Sequence, residues 1–327
     1  MSGWESIAAR WRRSHEVTPV AGGVEAHETL KSFDHCLNWA GREARPILTA
    51  VKPVGGPRRL AWLALLAWRR SVRETIDGNW PVEARQQNLT RLRDQTERAL
   101  AGAPPRHADP MWPAFSASMC SYAIDPAWVL SALDEMAGDL EVRTHQTGAE
   151  LKRSAVAGWG SLGIITLAIG GLAPNADAHE AARAARRWGA AMRVVGVLRN
   201  FARDFDATPR RVHLPAESFE EHGLTAFKLR AWSESERCAA FVRRWAQGAR
   251  SAEERAADLA PLMAPDAGRA VLNLTQLAMG VLDELDRDPS RIVRGGRIDG
   301  PTSGASRVGV KARLGKKGGR GRGRGRP

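Results

Sequence analysis

The stretch that decides the fold is Ala191–Pro215, which reads AMRVVGVLRNFARDFDATPRRVHLP. Its first part has the apolar spacing of an amphipathic helix as far as Phe205, and a short polar loop follows. Asn200 and Asp204 lie four residues apart and therefore share one helical face. Four arginines surround this pair: Arg199, Arg203, Arg210 and Arg211. Two oxygen ligands ringed by guanidinium groups suit a hard cation that carries a phosphorylated ligand, although an ordinary solvated helix face has the same pattern.

The rest of the chain also has helical spacing, and nowhere do four or more residues alternate cleanly as a strand would. The clearest further candidates are Leu60–Asp77, Asp125–Arg143, Glu150–Leu172, Leu224–Gly248 and Asp266–Leu285. This pattern predicts an all-α protein with a single helical bundle domain over residues 25–287. An N-terminal helix and linker would occupy residues 1–24, and a tail would occupy residues 288–327.

The composition indicates a globular protein without a disulfide scaffold or a membrane-spanning segment. The chain has 327 residues, of which 43% are hydrophobic, so it can bury a large core. Its three cysteines are far apart, which favours a reducing compartment over a disulfide scaffold. The N-terminus lacks the apolar segment of a secretory signal, and the apolar run Gly158–Pro174 is shorter than the roughly 20 residues that a bilayer requires. We therefore expect a cytoplasmic protein, either free or peripheral on the inner face of the membrane.

Positive charge is concentrated at the C-terminus. The formal net charge is +13, and the residues from Ser290 onwards contribute +11 of it. Because this Gly/Arg/Lys-rich tail has almost no apolar residues, we expect it to be disordered. Its candidate partners are an anionic membrane surface and, without sequence preference, RNA. A solubilising tail without a dedicated partner is the simpler alternative.

A second acidic pair lies at the end of the Leu60–Asp77 segment. Glu74 and Asp77 are three residues apart, and Arg69, Arg70 and Arg73 precede them. Two helices that face each other with such pairs would hold Mg²⁺ between them, and the metal would hold a diphosphate. Asp139 adds a carboxylate on a third segment.

The order of these segments resembles that of the squalene/phytoene synthase family, the head-to-head prenyl transferases of the isoprenoid synthase fold. The resemblance runs from about Ser32 to Leu285. Ser32-Phe33 is similar to the family's N-terminal Ser-Phe, and the Leu60–Asp77 segment is similar to its first aspartate-rich motif. Ala132–Leu151 and the small-residue turn Gly160–Gly163 match two further segments, and Ala191–Pro215 is similar to the second aspartate-rich motif.

The resemblance implies a bundle with a central apolar cavity, in which two prenyl diphosphates condense head to head after Mg²⁺-assisted loss of diphosphate. Such a reaction belongs to squalene, hopanoid or carotenoid biosynthesis. It also implies roles for individual residues. The catalytic candidates are Asp77, Asp204 and Arg199. The candidates for binding the substrate diphosphate are Ser32, Arg70, Arg73, Arg199 and Arg211. The candidate metal ligands are Glu74, Asp77, Asn200 and Asp204.

The chain departs from the family pattern at several motif positions. Arg73 and Glu74 replace the first two aspartates of the first motif. In the second motif Arg193 replaces Gln, Gly196 replaces Asn and Asn200 replaces an Asp, while Ser154, His145 and His213 stand at Tyr positions. Because negative charge is lost, we expect weakened Mg²⁺ affinity, and the arginines could bind diphosphate directly.

Three functional hypotheses remain open at this point. The first is a divergent prenyl transferase that uses farnesyl or geranylgeranyl diphosphate, and the retained acidic and basic residues favour it slightly. The second is a family member that has lost catalysis and binds prenyl diphosphate or assists assembly. The third, an RNA-binding protein with a helical body, rests only on the tail. The oligomeric state is not predicted.

Overall fold

The computed structural model describes residues 3–16, 24–105, 108–122, 124–141 and 144–294. Within these ranges the chain forms α-helices and short 3₁₀ turns, and only two isolated bridges replace strands. The all-α prediction is therefore confirmed. The helices are α1 Gly3–Arg12, α2 Val24–Glu43, α3 Arg45–Ala50, α4 Gly56–Asp77, α5 Val82–Leu100, α6 Trp112–Ser121, α7 Pro126–Ala137, α8 Gly148–Gly170, α9 Ala178–Asp206, α10 Ala216–Glu221, α11 Ala226–Ala231, α12 Ser235–Ala249, α13 Ser251–Leu259 and α14 Pro265–Arg287.

Side-chain caps begin three of the helices that position the site. The Asp125 carboxylate accepts a hydrogen bond from the Ala127 amide in the first turn of α7, which Pro126 opens. Thr147 caps α8 in the same way, and Asp177 caps α9. Because these residues occur in the sequence just before apolar periodic segments, the starts of the helices are predictable to within a few residues.

One predicted helix is interrupted. The segment Leu224–Gly248 forms two helices, α11 and α12, and not one. Trp232 adopts a left-handed backbone conformation, with φ of 53°, and this conformation ends α11. Apolar spacing alone does not reveal such a break.

Helices α8 and α9 pack with their backbones almost in contact. A Cβ atom on Gly163 would lie 2.1 Å from the Ala185 carbonyl oxygen. A Cβ atom on Gly189 would lie 2.1 Å from the Trp159 carbonyl oxygen. The small residues of this stretch therefore set the distance between the two helices, which fixes where the second half of α9 lies.

Helix α4 is held at its beginning and along its length. The Arg58 guanidinium donates to the Gly170 carbonyl at the end of α8 and to Asp266 at the start of α14, with 2.6 Å from Nη2 to Oδ2. Further along, the Trp68 indole donates to Thr96 of α5 and stacks on Phe115 of α6. These contacts leave the end of α4, with Asp77, at the opposite end of the helix from Arg58.

The folded part extends beyond the central domain that the sequence indicates. Trp11 of α1 is fully buried, so the N-terminal helix packs on the bundle. Pro289–Ile292 form a 3₁₀ turn after α14, and Ile292 is buried. The expected disorder of the basic tail concerns residues that, from 295 onwards, lie outside the described part of the chain. Among the described helices, none has the length and apolar character needed to cross a bilayer.

Candidate functional site

The ends of α4 and α9 meet at a buried arginine. The Arg211 guanidinium lies 2.8 Å from Asp77 Oδ1 through Nη1 and 3.4 Å from Asp204 Oδ1 through Nη2. Only 3% of the Arg211 side chain is exposed. The structure thus brings together Asp77 and Asp204, as the sequence predicts, and it places a guanidinium between them.

A backbone contact explains why Arg211 points inward. After the loop at residues 207–210 the chain turns back, and the Arg211 amide donates to the Asp204 carbonyl at 2.9 Å. Val212 then forms a parallel bridge with Thr144. Because this segment runs beside the end of α9, the alternate side chains Arg211 and His213 both face the same interior site.

A third carboxylate completes the cluster. Asp139 lies in the short turn that follows α7, and 6% of its side chain is exposed. It is hydrogen-bonded to Arg73 and lies 3.9 Å from Arg193 Nη2 and 3.6 Å from His213 Nε2. We call the following set the charged centre: Arg73, Asp77, Asp139, Arg193, Asp204, Arg211 and His213.

Arg73 reaches all three carboxylates of the charged centre. Its Nη2 atom lies 3.1 Å from Asp77 Oδ1 and 4.0 Å from Asp204 Oδ1, and its Nη1 atom bonds Asp139. Burial by itself would lower the pKa of Arg73, but the three aspartates outweigh burial and raise it. Arg73 is therefore a permanent cation at the position where the related motif has an aspartate.

The histidine of the charged centre is neutral at physiological pH. Burial, assisted by the nearby Arg193, lowers the pKa of His213 to about 4. Its Nδ1 atom lies 3.4 Å from Arg193 Nη2, so we assign Nδ1 as the acceptor and place the proton on Nε2. Burial alone would raise the pKa of Asp139, but His213, Arg193 and Arg73 lower it below its usual range.

Further arginines give this region an excess of positive charge. The Arg69 guanidinium lies over the Trp159 ring, 4.4 Å from its centroid. Burial and repulsion by Arg73, Arg193, Arg199 and Arg203 lower the pKa of Arg69 to about 9. Arg203, whose side chain is 52% exposed, contacts Asp204 at 2.9 Å.

Glu74 and Arg70 point away from the charged centre. Glu74, a predicted metal ligand, is 56% exposed in its side chain and lies 2.7 Å from Arg70 Nε. Arg70, a predicted diphosphate ligand, also reaches Glu43 of α2 at 3.4 Å. Because each residue turns a helix by about 100°, the 70–74 pair faces α2 while Arg73 and Asp77 face α9. The structure does not place Glu74 beside Asp77 in one ligand set.

Ser32, another predicted diphosphate ligand, has a structural contact. It is 3% exposed, its hydroxyl donates to the Pro110 carbonyl at 2.6 Å, and it accepts from the Ala114 amide at 2.9 Å. These bonds attach α2 to the start of α6. The Ser32 hydroxyl thus donates its one proton to the protein itself and has none left to donate to a diphosphate.

The two remaining predicted residues lie on α9. Asn200 is half-buried, one turn before Asp204 on the same side of the helix. Arg199 is exposed at the surface and close enough to Arg69 to lower its pKa. The sequence indicates Arg193 and His213 only as departures from the family motif. Because they occupy motif positions, those departures were the signal that could have assigned both residues to the site.

The charged centre does not fit a Mg²⁺ site. Among the residues that the structure describes, no group of three or more His, Cys, Asp or Glu side chains is arranged to hold a metal. Asp77, Asp139 and Asp204 are all bonded to guanidinium groups. The buried atoms here that lack a hydrogen-bond partner include the Nε donors of three arginines, namely Arg69, Arg193 and Arg211. Such donors can bind an anion and cannot bind a cation.

A small recess adjoins the charged centre. Its volume is about 50 Å³, and Asp139, Arg211 and His213 are among the residues that line it. Glu135 and Ser154 also line it, and the Ser154 hydroxyl donates to the Glu135 carboxylate. A ligand in this recess would contact the donors Arg211 and His213 and the acceptors Asp139 and Glu135.

Comparison with known proteins places these motifs in a family. The model of the squalene/phytoene synthase family matches residues 42–303, which is more than half of the chain. Among curated proteins, the chloroplastic phytoene synthase of Narcissus pseudonarcissus is 24% identical over 75% of this chain and 57% of its own length. Phytoene synthase 2 of Solanum lycopersicum is 23% identical over 78% of this chain and 82% of its own length. The chain thus spans little more than half of the first of these relatives.

Solved structures support the same fold. A dehydrosqualene synthase in complex with a ligand superposes with a TM-score of 0.68 at 19% identity, covering 81% of this chain and 90% of its own. The squalene synthase HpnC from Alicyclobacillus acidocaldarius gives a TM-score of 0.65 at 18% identity, covering 80% and 95%. The predicted isoprenoid synthase type of bundle is confirmed. Ser32 precedes the region that the family model matches.

Proposed function

Because the chain belongs to the squalene/phytoene synthase family, we propose that it binds a prenyl diphosphate whose diphosphate is held by arginines and not by Mg²⁺. The isoprenoid chain would occupy the central apolar cavity that the family resemblance implies. In this proposal the protein retains the substrate class of isoprenoid biosynthesis and has lost the efficient ionisation step.

The unpartnered arginine donors at the charged centre, together with the arginines around it, carry this proposal. Six arginines surround three aspartates: Arg69, Arg73, Arg193, Arg199, Arg203 and Arg211. With His213 neutral, the interior arginines Arg69, Arg73, Arg193 and Arg211 exceed the three aspartates by one charge. The exposed Arg199 and Arg203 bring the total to about +3 before any ligand arrives. A diphosphate carries two to three negative charges and several acceptor oxygens, so it matches both the charge and the unpartnered Nε donors.

The same arrangement argues against ionisation of the substrate. Members of the family generally use Mg²⁺ to ionise the diphosphate. Here Asp77 and Asp204 would be available to a metal only if the Arg211 guanidinium left both of them. Fixed guanidinium groups bind the ground state of a diphosphate well, and without a divalent ion they stabilise the departing diphosphate less.

Head-to-head condensation of two prenyl diphosphates is the second candidate. One observation favours it: Asp77 from α4 and Asp204 from α9 face each other across Arg211, on the two helices that carry the aspartate-rich motifs. In that case Arg199, Asp77 and Asp204 would keep catalytic roles. Formation of squalene-like or phytoene-like products would identify this activity.

Binding without metal tests the proposal directly. We expect calorimetry with farnesyl diphosphate to give the same affinity, within about threefold, in EDTA and in millimolar Mg²⁺. Arg69→Ala should weaken binding by about 10–100-fold, because it removes a charge-assisted bond worth about 1.5–3 kcal/mol. Arg70→Ala is the matched control. The Arg70 guanidinium contacts Glu43 and Glu74, so its removal should leave the affinity for farnesyl diphosphate unchanged.

Two results would contradict the proposal. One is binding that appears only with Mg²⁺, and the other is release of pyrophosphate with a C30 or C40 product. Arg73→Asp combined with Asn200→Asp tests the same point from the other side. This double variant should make binding depend on Mg²⁺, because it restores two carboxylates and removes one cation.

The other partner expectations remain proposals. Attachment of the basic tail to an anionic membrane, and unspecific RNA binding, both concern residues outside the described part of the chain. A cytoplasmic location with peripheral attachment to the inner face of the membrane accompanies the first of them.

A further inference from the structure

A groove lies on the outer surface of the bundle, over the first half of α8. Its volume is about 460 Å³. Three helices contribute to its lining: α7 with Trp128 and Ser131, α8 with Val156, Ala157 and Ser161, and α9 with Arg186. Ala157 and Arg186 are exposed, so the groove opens to solvent. None of the residues of the charged centre lines it. We call it the α8 groove.

The chain itself packs a helix against the other end of α8. In α1, Ala8 and Trp11 are buried while the charged side chains are exposed, so α1 packs through one face. The Trp11 carbonyl accepts a hydrogen bond at 3.2 Å from the Leu172 amide, just after α8. The ring centroids of Trp11 and Trp128 are 6.1 Å apart, so α1 ends beside the α8 groove. Within the described ranges no helix extends this cover over the groove, where Ala157 is exposed.

Three basic side chains line the α8 groove, and among the described residues no acidic one does. They are Lys152 and Arg153 of α8 and Arg186 of α9. None of the three forms an ion pair with a described residue. Arg183 and Arg187 are exposed at nearby positions of α9 and add to the positive charge. The lining alone therefore carries a net charge of about +3 at pH 7.

Most acidic side chains near the α8 groove are engaged elsewhere. Three of them have other partners: Asp134 pairs with Arg93, Glu135 accepts from the Ser154 hydroxyl, and Glu150 accepts from the Gln146 amide. Glu180 is exposed on α9, six residues before Arg186, which is about 9 Å along the helix axis. The cations that line the groove therefore lack a compensating carboxylate among the described residues.

The polar atoms of the α8 groove do not favour a small free anion. The hydroxyls of Ser131 and Ser161 both donate to the Ala157 carbonyl, at 2.9 and 2.6 Å. They therefore have no proton left for an anion in the groove. Next to them, Val156 and Trp128 offer apolar surface. This combination suits a ligand that brings apolar side chains together with carboxylates.

We infer that the α8 groove is the docking site of an acidic amphipathic helix of a partner protein. The small residues Ala157 and Ser161 lie one turn apart and let a helix approach α8 closely. Positions 153 to 161 span about 12 Å of the helix axis, so a partner helix of three or four turns covers the groove. Its carboxylates would pair with the basic side chains of the lining. The inference does not depend on the proposed function.

Fluorescence anisotropy with the full-length protein tests this inference. The probe is a labelled 18-residue peptide with Leu and Ala on one helical face and Glu on the other. Because the basic tail attracts any acidic peptide, the control peptide has the same composition in an order that gives no apolar face. We expect the amphipathic peptide to bind at least tenfold more tightly than the control peptide at 0.15 M salt.

Variants of the protein locate the binding. Arg153→Glu combined with Arg186→Glu should weaken binding of the amphipathic peptide at least tenfold, because like charges would then meet. Arg243→Glu combined with Arg244→Glu is the matched control and should change the affinity less than twofold, since both arginines are exposed on α12, outside the groove. Ala157→Trp leaves the charge unchanged and fills the groove, so it should also weaken binding at least tenfold.

Three results would overturn the inference. They are equal affinity for the two peptides, wild-type affinity in Ala157→Trp, and displacement of the amphipathic peptide by 10 μM inorganic tripolyphosphate, which would assign the groove to a small polyphosphate. Affinity for farnesyl diphosphate should be the same in all these variants, so failure here is distinguishable from failure of the proposed function. Circular dichroism and melting temperature establish that each variant is folded.

Discussion

The two halves of α9 bury different kinds of residue, small ones in the first half and charged ones in the second. In the first half, small residues pack against α8 so closely that Gly189 has no room for a Cβ atom. In the second half, Arg193 and Asp204 are buried as charges and are held by ions from other segments. The first half is therefore sensitive to added volume, and the second half is sensitive to unbalanced charge. The same helix thus fixes the geometry of the bundle and holds the charges of the site.

The largest expected effect comes from removing a buried carboxylate. Asp139→Asn should destabilise the protein by about 3–5 kcal/mol, because Arg73 and Arg193 would lose their compensating charge. Urea unfolding at pH 7 measures the change. Asp206→Asn is the control, since Asp206 is 53% exposed and pairs with Arg230 at the surface, where such pairs are worth about 0–1 kcal/mol. Equal effects of the two variants would mean that the charged centre is not held by buried ions.

His213 should make stability depend on pH. The folded protein binds a proton at this site only near pH 4, whereas an unfolded histidine binds one near pH 6.5. As the pH falls between these values the unfolded state gains protons first, so stability should fall by about 3 kcal/mol and then level off for this group. Asp139 acts in the same direction at lower pH, because its folded pKa is also lowered.

Unfolding curves between pH 7 and 4 check this prediction. His213→Gln should remove most of the decrease in stability, because Gln does not titrate. His179→Gln is the control, since His179 is exposed at the start of α9. A decrease that is unchanged in His213→Gln would show that other groups cause it.

The first half of α9 should respond to volume. Gly189→Ala should destabilise by about 2–3 kcal/mol, because the new Cβ would lie 2.1 Å from a backbone oxygen that cannot move aside independently. Gly196→Ala lies on the same helix, where the nearest atom to a new Cβ is 3.9 Å away. That variant should be neutral or stabilise by up to about 1 kcal/mol. Thermal unfolding distinguishes the two, and equal melting temperatures would contradict the difference between the halves.

The fold could be predicted from the sequence because its signals are local. Caps such as Asp125 and Asp177 and the apolar spacing of α4 and α9 are visible without tertiary information. The meeting of Asp77 and Asp204 followed from the family resemblance. The sequence could not show that Arg211 lies between them, since that depends on how the segment after α9 turns back.

On α4, the sequence did not show which of the charged residues next to Asp77 enter the site. Glu74 and Asp77 are only three residues apart, yet their neighbours differ because α2 and α9 lie on different sides of α4. Arg69 and Arg70 are adjacent and face opposite environments for the same reason. Which of two neighbouring charges enters a site is decided by packing partners, and spacing along one helix does not identify them.

The smallest predicted effect tests the positive excess of the second half of α9. Asn200→Asp adds one negative charge one turn before Asp204. Two unit charges about 4 Å apart in water interact with about 1 kcal/mol, and we take this as the repulsion between the new carboxylate and the bound diphosphate. Affinity for farnesyl diphosphate in EDTA should therefore fall about fivefold, and Asn200→Ala should leave it within about twofold. If Asn200→Asp instead strengthens binding in Mg²⁺ and not in EDTA, this position still belongs to a metal site and the arginines of the charged centre do not replace it.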